Sequence, residues 1–171
     1  SMLLNLATGH QLAVTATKIA DMHHYHRFAI RYEVTPINFD GSLQIHSAID
    51  GQVTNGNVDR YNQFDQRHVV VDATETDATD AWLTGHTRHS NVHFAIGSRL
   101  SSPDRVLSNA VDGTHTTNAA RQTVNLAVRA GHTYTVDKLV AVVTDHDGER
   151  ADMALTDRVR AELQQGYPEL L

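Results

Sequence analysis

Histidine is unusually abundant in this chain, and it is the residue type whose side chain could most readily do chemistry. Twelve histidines stand among 171 residues, and imidazole is the commonest metal ligand in proteins. The densest group is His23, His24 and His26, around Tyr25. Adjacent strand residues point to opposite faces, so only His24 and His26 can converge locally. Because no third ligand is identified, we interpret the group as solvated surface histidines and predict no metal site.

A second stretch with possible metal chemistry is Asp145-His146-Asp147-Gly148, which is similar to the middle of a calcium loop. A calcium loop of the EF-hand type needs an acidic residue two positions earlier, where Val143 stands, and a glutamate at its end. Neither is in place. The stretch is therefore predicted to be the end of a strand followed by a turn.

Carboxylates are plentiful, with 20 Asp and Glu residues. Acid–base pairs are defined by their separation in space, so abundance alone does not indicate a hydrolase. No serine stands in a Gly-x-Ser-x-Gly elbow. The chain also lacks a phosphate-binding Gly-rich loop, a dinucleotide fingerprint and a His-Glu-x-x-His zinc motif. We accordingly predict no catalytic residues and no cofactor.

Residues 31–68 hold the densest run of polar and planar side chains with a binding character. Side chains of this kind hydrogen-bond sugar hydroxyls or stack on sugar rings. The alternative is that they satisfy turn backbone and pack the end of a sheet, because Asp-Gly and Asn-Gly pairs lie among them. The candidate substrate-binding residues are Asp50, Asn55, Arg60, Tyr61 and His68.

Charge and composition exclude several classes of protein. The formal net charge is −6 and no basic run of five residues occurs, which disfavours a nucleic-acid partner. Without cysteine there is no disulfide or thiolate metal site, as is typical of a reducing cytoplasm. No apolar stretch approaches the ~20 residues that span a bilayer, and the start does not resemble a secretion signal. A cytoplasmic protein without a membrane partner is expected.

The dominant hydrophobic period is two, which predicts β-strands. Phe28, Ile30, Tyr32 and Val34, for example, share one face. Strands are predicted at residues 12–17, 28–34, 43–49, 67–71, 82–87, 92–100, 106–111, 122–128 and 134–144. Turns are predicted at Thr8-Gly9, Asp40-Gly41, Asp50-Gly51, Asn55-Gly56, Asp112-Gly113 and Ala130-Gly131. Short strands between such turns indicate an all-β fold, an antiparallel β-sandwich.

Two segments depart from this pattern. The acidic stretch 72–80 is predicted to be an exposed loop or edge. Residues 149–165 have apolar side chains at helical spacing, which predicts a short C-terminal helix that Gly166 ends. We therefore divide the chain into a β-sandwich over 1–148 and a terminal segment over 149–171.

The run from residue 31 resembles a known family. Arg-Tyr-Glu-Val-Thr-Pro-Ile-Asn at 31–38, Ile-Asp-Gly-Gln-Val-Thr-Asn at 49–55, Arg60-Tyr61 and Arg67-His68 are similar to the N-terminal domain of glycoside hydrolase family 65. The family includes maltose, trehalose, kojibiose and nigerose phosphorylases and trehalose hydrolases. Further support comes from Thr8-Gly9 followed by Leu12–Lys18 and His26, and from residues 130–144 and 166–171.

The resemblance implies a supersandwich-like domain, full or trimmed, followed by a helical linker that starts within 149–171 and by an (α/α)6 barrel. The barrel would carry the general acid, with phosphate as co-substrate, so this segment alone is expected to be inactive. Its implied role is to support the barrel and a homodimer of the parent enzyme, which acts on disaccharides. The loop from Asp50 to Tyr61 would reach toward the active site. The alternative, a free-standing carbohydrate-binding module, needs exposed aromatics, and Trp82 is the sole tryptophan.

Overall fold

The computed structural model describes residues 1–54, 66–104, 107, 111–148 and 153–164. In these residues ten strands form two antiparallel sheets, and one helix follows them. The strands are β1 (Met2–Asn5), β2 (Gln11–Ala20), β3 (Arg27–Pro36), β4 (Gly41–Asp50), β5 (Val69–Thr76), β6 (Asp80–Thr87), β7 (His93–Ser101), β8 (Val111–Thr116), β9 (Ala119–Val128) and β10 (Tyr134–Thr144). The helix is α1 (Leu155–Leu163). Within the described residues, no helix is long and apolar enough to cross a membrane.

The two sheets differ in size. The large sheet has the order β1-β2-β3-β10-β7-β6-β5, and the small sheet has the order β4-β9-β8. Apolar side chains from β2, β3, β7 and β10 meet those of β9 in a core between the sheets, at Leu12, Val14, Val34, Leu100, Val124, Leu126, Val128, Tyr134 and Val136. The predicted antiparallel β-sandwich is confirmed.

Strand β10 is buried on both faces, which explains its nearly continuous apolar sequence. Tyr134 and Val136 face the small sheet, while Leu139, Ala141 and Val143 face α1 on the opposite side. The helix packs there through Val159 and Leu163. The large sheet is thus a central layer between the small sheet and the helix.

The helix is shorter than predicted. It begins at Leu155, and Met153 and Ala154 are not helical. Ala154 has an extended backbone with ψ 145°, so the predicted helical position of Met153 is wrong. Residues 149–152 and 165–166 lie outside the described residues, and the predicted helix end at Gly166 stays a prediction.

The predicted turn at Asp112-Gly113 is wrong, because both residues lie within β8. Glycine serves close packing there: a Cβ on Gly113 would stand 2.9 Å from Thr76 Oγ1 and 3.1 Å from the Asp77 carbonyl oxygen. Of the strand predicted at 106–111, only Leu107 and Val111 are described, and the observed strand begins at Val111. Residues 72–76 of the acidic stretch belong to the edge strand β5 and a turn follows, in agreement with the edge alternative. Asp80 departs from the prediction, because it begins β6 and is buried.

Candidate functional site

The predicted substrate-binding residues divide into two groups. Asp50 and His68 are described and both are exposed, whereas Asn55, Arg60 and Tyr61 lie outside the described residues. Asp50 ends β4, and its Oδ1 accepts a hydrogen bond of 2.9 Å from the backbone N–H of Gln52. This contact gives Asp50 a turn-forming role. Substrate binding by the five residues stays a prediction.

The histidine group at 23–26 forms the turn between β2 and β3. The backbone N–H groups of His23 and His24 donate to Asp21 Oδ1, each at 2.9 Å. These hydrogen bonds, that from His24 foremost, hold the pKa of Asp21 below its ordinary value. His26 places Nδ1 2.9 Å from the Val142 carbonyl oxygen. The group is thus engaged in joining the hairpin to β10.

The stretch at 145–148 anchors the helix to the sheet. Strand β10 ends at Thr144 and a turn follows, as the sequence predicts. The Thr144 N–H donates to Asp147 Oδ2 at 2.6 Å. Arg158 of α1 donates to the carbonyl oxygens of Thr144 and Asp147, at 2.9 and 3.2 Å. The carboxylate here organises a turn.

Two aspartates are buried in the described part of the chain, and an arginine engages both oxygens of each. Arg31 donates to Asp137 in two bonds of 2.8 Å. Arg99 donates to Asp80 at 2.7 and 2.6 Å, and this hydrogen bonding raises the pKa of Arg99. A general acid must be free to deliver a proton to substrate. Neither buried carboxylate is free in this sense, so both are structural.

A groove of about 530 Å³ lies between β4 of the small sheet and the large sheet. Among the described residues its lining is mainly apolar and contains no carboxylate: Leu4, Leu12, Val14, Ile30, Tyr32, Val34, Leu43, Gln44, Ile45, His46, Ser47, Ala48, Leu100, Val136 and Lys138. Lys138 donates from Nζ to the Ala48 carbonyl oxygen at 3.1 Å, and burial lowers its pKa. The described lining therefore offers no carboxylate for glycosidic bond cleavage.

One cluster was missed by the sequence reasoning. Asp72, His86 and His93 each offer a ligand atom, and these atoms all lie within 4.8 Å of one another. They come from the neighbouring strands β5, β6 and β7. A hairpin prediction over 82–100 could have placed His86 opposite His93, because both flank its turn. Asp72 joins them through the pairing of β5 with β6, which the sequence does not signal.

The comparisons with known proteins agree on a family. Residues 1–171 match Glycosyl hydrolase family 65, N-terminal domain. An uncharacterized glycosyl hydrolase of Mycobacterium tuberculosis is 24% identical over 159 residues, covering 88% of this chain and 12% of the relative. The α,α-trehalose phosphorylase of Thermoanaerobacter brockii is 26% identical over 147 residues, with 82% and 18% covered. The trehalose 6-phosphate phosphorylase of Lactococcus lactis is 31% identical over 120 residues, with 64% and 15% covered.

The fold has a counterpart among solved structures. A kojibiose phosphorylase-like protein from the human microbiome superposes with a TM-score of 0.72 at 12% identity, over 96% of this chain and 21% of that one. The chain spans only 12% to 18% of the length of these curated relatives. The match over all 171 residues shows that the chain belongs to the N-terminal domain family of glycosyl hydrolase family 65.

Proposed function

We propose that the chain is the non-catalytic domain of a larger family 65 enzyme, here called the parent enzyme, which cleaves an α-glucosidic disaccharide. The names of two relatives, both phosphorylases, support phosphate as the co-substrate of the parent. The catalytic group belongs to a separate (α/α)6 barrel in this proposal. The parent is a homodimer located in the cytoplasm.

The observation that carries this proposal is how the carboxylates are used. Asp80 and Asp137 are both buried, and each is held by an arginine through two hydrogen bonds. The groove between the sheets has no acid among the lining residues that the structure describes. A retaining or inverting glycosidase, and equally a phosphorylase, needs at least one acid placed against the glycosidic oxygen. Such an acid is better sought in the rest of the parent.

The groove is the surface through which this domain supports the rest of the parent polypeptide. Its apolar lining and the 39% exposure of Leu4 leave apolar area that packing against another part of the chain would bury. Strand β4 forms the groove wall and is an edge of the small sheet, so its outer backbone groups can pair with an added strand. The matched relatives are five or more times longer than the matched part. The remainder of such a polypeptide is long enough to pack against the groove or to pair with β4.

Docking of the parent polypeptide at the groove is tested by replacing each of two neighbouring leucines in β1. Leu4 lines the groove, whereas Leu3 is 56% exposed and points to the opposite face. Leu4→Ser is expected to destabilise the parent by about 1–2 kcal/mol more than it destabilises the isolated chain. Leu3→Ser serves as the control and should lower the free energy of unfolding by the same amount in the parent and in the isolated chain. Chemical unfolding of the two proteins measures the difference, and equal costs of Leu4→Ser in both would refute docking at the groove.

The loop from Asp50 to Tyr61 is proposed to reach the active-site mouth of the parent. Its support is the polar and planar composition of Asn55, Arg60 and Tyr61 in the sequence. Replacing Arg60 and Tyr61 by alanine in the parent should raise KM or lower kcat for the disaccharide. Gln52→Ala, in the turn that Asp50 forms, is the control. Unchanged kinetics with unchanged assembly would contradict this role.

The alternative function, a free-standing carbohydrate-binding module, finds no support in the sole tryptophan. Trp82 is 9% exposed, and the Arg160 guanidinium covers its ring at 4.5 Å from the centroid. It therefore presents no flat face to a sugar. Calorimetry of the isolated chain with maltose, trehalose and kojibiose separates the two functions, because saturable binding would favour the module.

A further inference from the structure

We propose that Asp72, His86 and His93 form a binding site for a divalent transition metal ion of the Zn²⁺ class, which ties together the ends of β5, β6 and β7. The ligand atoms of the three side chains already lie within 4.8 Å of one another. The three residues belong to adjacent strands of the large sheet. None of the three is among the described residues that line the groove.

The backbone fixes the two histidines. His86 and His93 are directly opposite each other in the antiparallel pair of β6 and β7. The hairpin turn next to them is closed by the Thr87 N–H, which donates to the Val92 carbonyl oxygen at 2.9 Å. Side chains opposite each other across a ladder share one face of the sheet. The imidazole centroids consequently lie 5.5 Å apart.

Strand β5 supplies the third ligand. The pairing with β6 skips Asp72, since Val71 is opposite Gly85 and Ala73 is opposite Thr84. Val70 pairs with His86, and Asp72, two residues further along β5, lies on the same face of the sheet. His86 Nδ1 lies 3.0 and 3.1 Å from the two carboxylate oxygens. In the metal-free protein, the Nδ1–H group of His86 donates a hydrogen bond to the Asp72 carboxylate.

These distances are close to what a zinc ion requires. Two ligand atoms, each about 2.1 Å from a tetrahedral Zn²⁺, lie roughly 3.4 Å apart. The Asp72–His86 pair is within that range, and the widest separation would close by a side-chain adjustment of about 1.5 Å. Both Asp72 and His86 are accessible, with side chains 42% and 27% exposed, so the ion can enter from solvent. Binding at Nδ1 moves the His86 proton to Nε2, without a change of oxidation state.

The ligand set decides which ion is preferred. Two imidazole nitrogens and one carboxylate suit Zn²⁺ and its neighbours in the first transition row, while Mg²⁺ and Ca²⁺ prefer oxygen ligands. Three protein ligands leave the fourth zinc position to water. Because the site spans the edge strand β5 and its neighbours, metal binding should oppose fraying of this edge.

The test is zinc titration of the intact chain by calorimetry, with thermal unfolding in parallel. One Zn²⁺ per chain should bind, and Tm should rise by about 5 °C when free Zn²⁺ exceeds Kd roughly 100-fold. Mg²⁺ at the same concentration should leave Tm unchanged. His93→Gln and Asp72→Asn should each weaken zinc binding on the order of 10-fold or more.

Two controls address the other histidines. The first is His89→Gln, since His89 is exposed and lies in the turn of the same hairpin. The second is the double variant His23→Gln/His24→Gln, which alters the densest histidine group. Both should keep the affinity of the unaltered chain. The proposal is overturned if no zinc binds, if Mg²⁺ binds equally well, or if affinity is lost in either control but retained in His93→Gln.

Discussion

At the scale of single residues, ionisable side chains in this domain mostly hold the backbone and one another in place. Asp21, Asp50 and Asp147 accept hydrogen bonds from turn N–H groups. Burial acts to raise the pKa of Asp77, but hydrogen bonds from the backbone of Asp80 and Thr79 together lower it. A carboxylate that stabilises a turn in this way works in its ionised form, which is unsuited to donating a proton to substrate.

Lys138 allows the cost of a charge in the groove to be measured. Burial lowers its pKa in the folded chain below the ordinary value of 10.5. Between the folded and unfolded pKa values the unfolded chain binds more protons, so the stability contributed at this site rises as pH increases toward 10.5. Lys138→Met should therefore stabilise the chain at pH 7 by up to about 1 kcal/mol, since the ammonium is only partly buried.

The stability gained by Lys138→Met should shrink as pH rises between the folded and unfolded pKa values of Lys138. In this range the unaltered chain deprotonates Lys138 and no longer bears the cost of burying its charge. Urea unfolding at pH 7 and at pH 10.5 measures the change in the free energy of unfolding. Lys18→Met is the matched control, since Lys18 stands across β3 from Lys138, opposite Ile30, and is exposed. A gain that grows with pH would contradict this account.

At the scale of elements, the packing of α1 depends on one glycine in β7. A Cβ added to Gly97 would stand 2.2 Å from Val159 Cγ1 and 3.0 Å from Leu163 Cδ1. The absence of a side chain thus lets the helix approach the sheet closely. Arg99 extends this contact by donating to the Leu163 carbonyl oxygen at 3.0 Å.

Gly97→Ala should destabilise the chain by about 1–3 kcal/mol, because the added methyl group overpacks the helix interface. Gly148→Ala is the control, with no atom within 4 Å of its added Cβ. Combining Gly97→Ala with Val159→Ala should cost less than the sum of the single changes, by at least ~0.5 kcal/mol. Thermal and urea unfolding test this, and strict additivity would show that the two residues do not clash.

Most strands could be predicted from alternation alone, and the exceptions have physical causes. Strand β10 was predicted with the observed bounds, Tyr134–Thr144. Strand β1 was missed, because its apolar run Met2-Leu3-Leu4 is exposed at a sheet edge and does not alternate. Asp112-Gly113 carries a turn signal that tertiary packing against β5 overrides.

The candidate sites were less accessible to sequence reasoning than the strands were. The loop residues could be selected only by composition, and Asp50 proves to shape a turn. The cluster of Asp72, His86 and His93 required the order and register of β5, β6 and β7. The pairing of β5 with β6 joins residues that are distant in the sequence, so no local pattern predicts it.

At the scale of the whole molecule, the chain is one sandwich domain whose small sheet covers part of a larger one and whose helix covers the other face. The family match extends over all 171 residues, while the curated relatives are several times longer. The proposed division of labour follows: this domain supplies a rigid surface, and the remainder of the parent supplies the acid and the phosphate site. Stability and catalysis should therefore be separable by mutation.

The most direct measurement of this claim is the release of glucose 1-phosphate from trehalose, kojibiose or maltose in the presence of phosphate. The isolated 171-residue chain should release none, while the parent enzyme should release it from at least one of the three. Release of glucose in the absence of phosphate reports hydrolysis in the same assay. Turnover of any of these disaccharides by the isolated chain would contradict the assignment of a supporting, non-catalytic role.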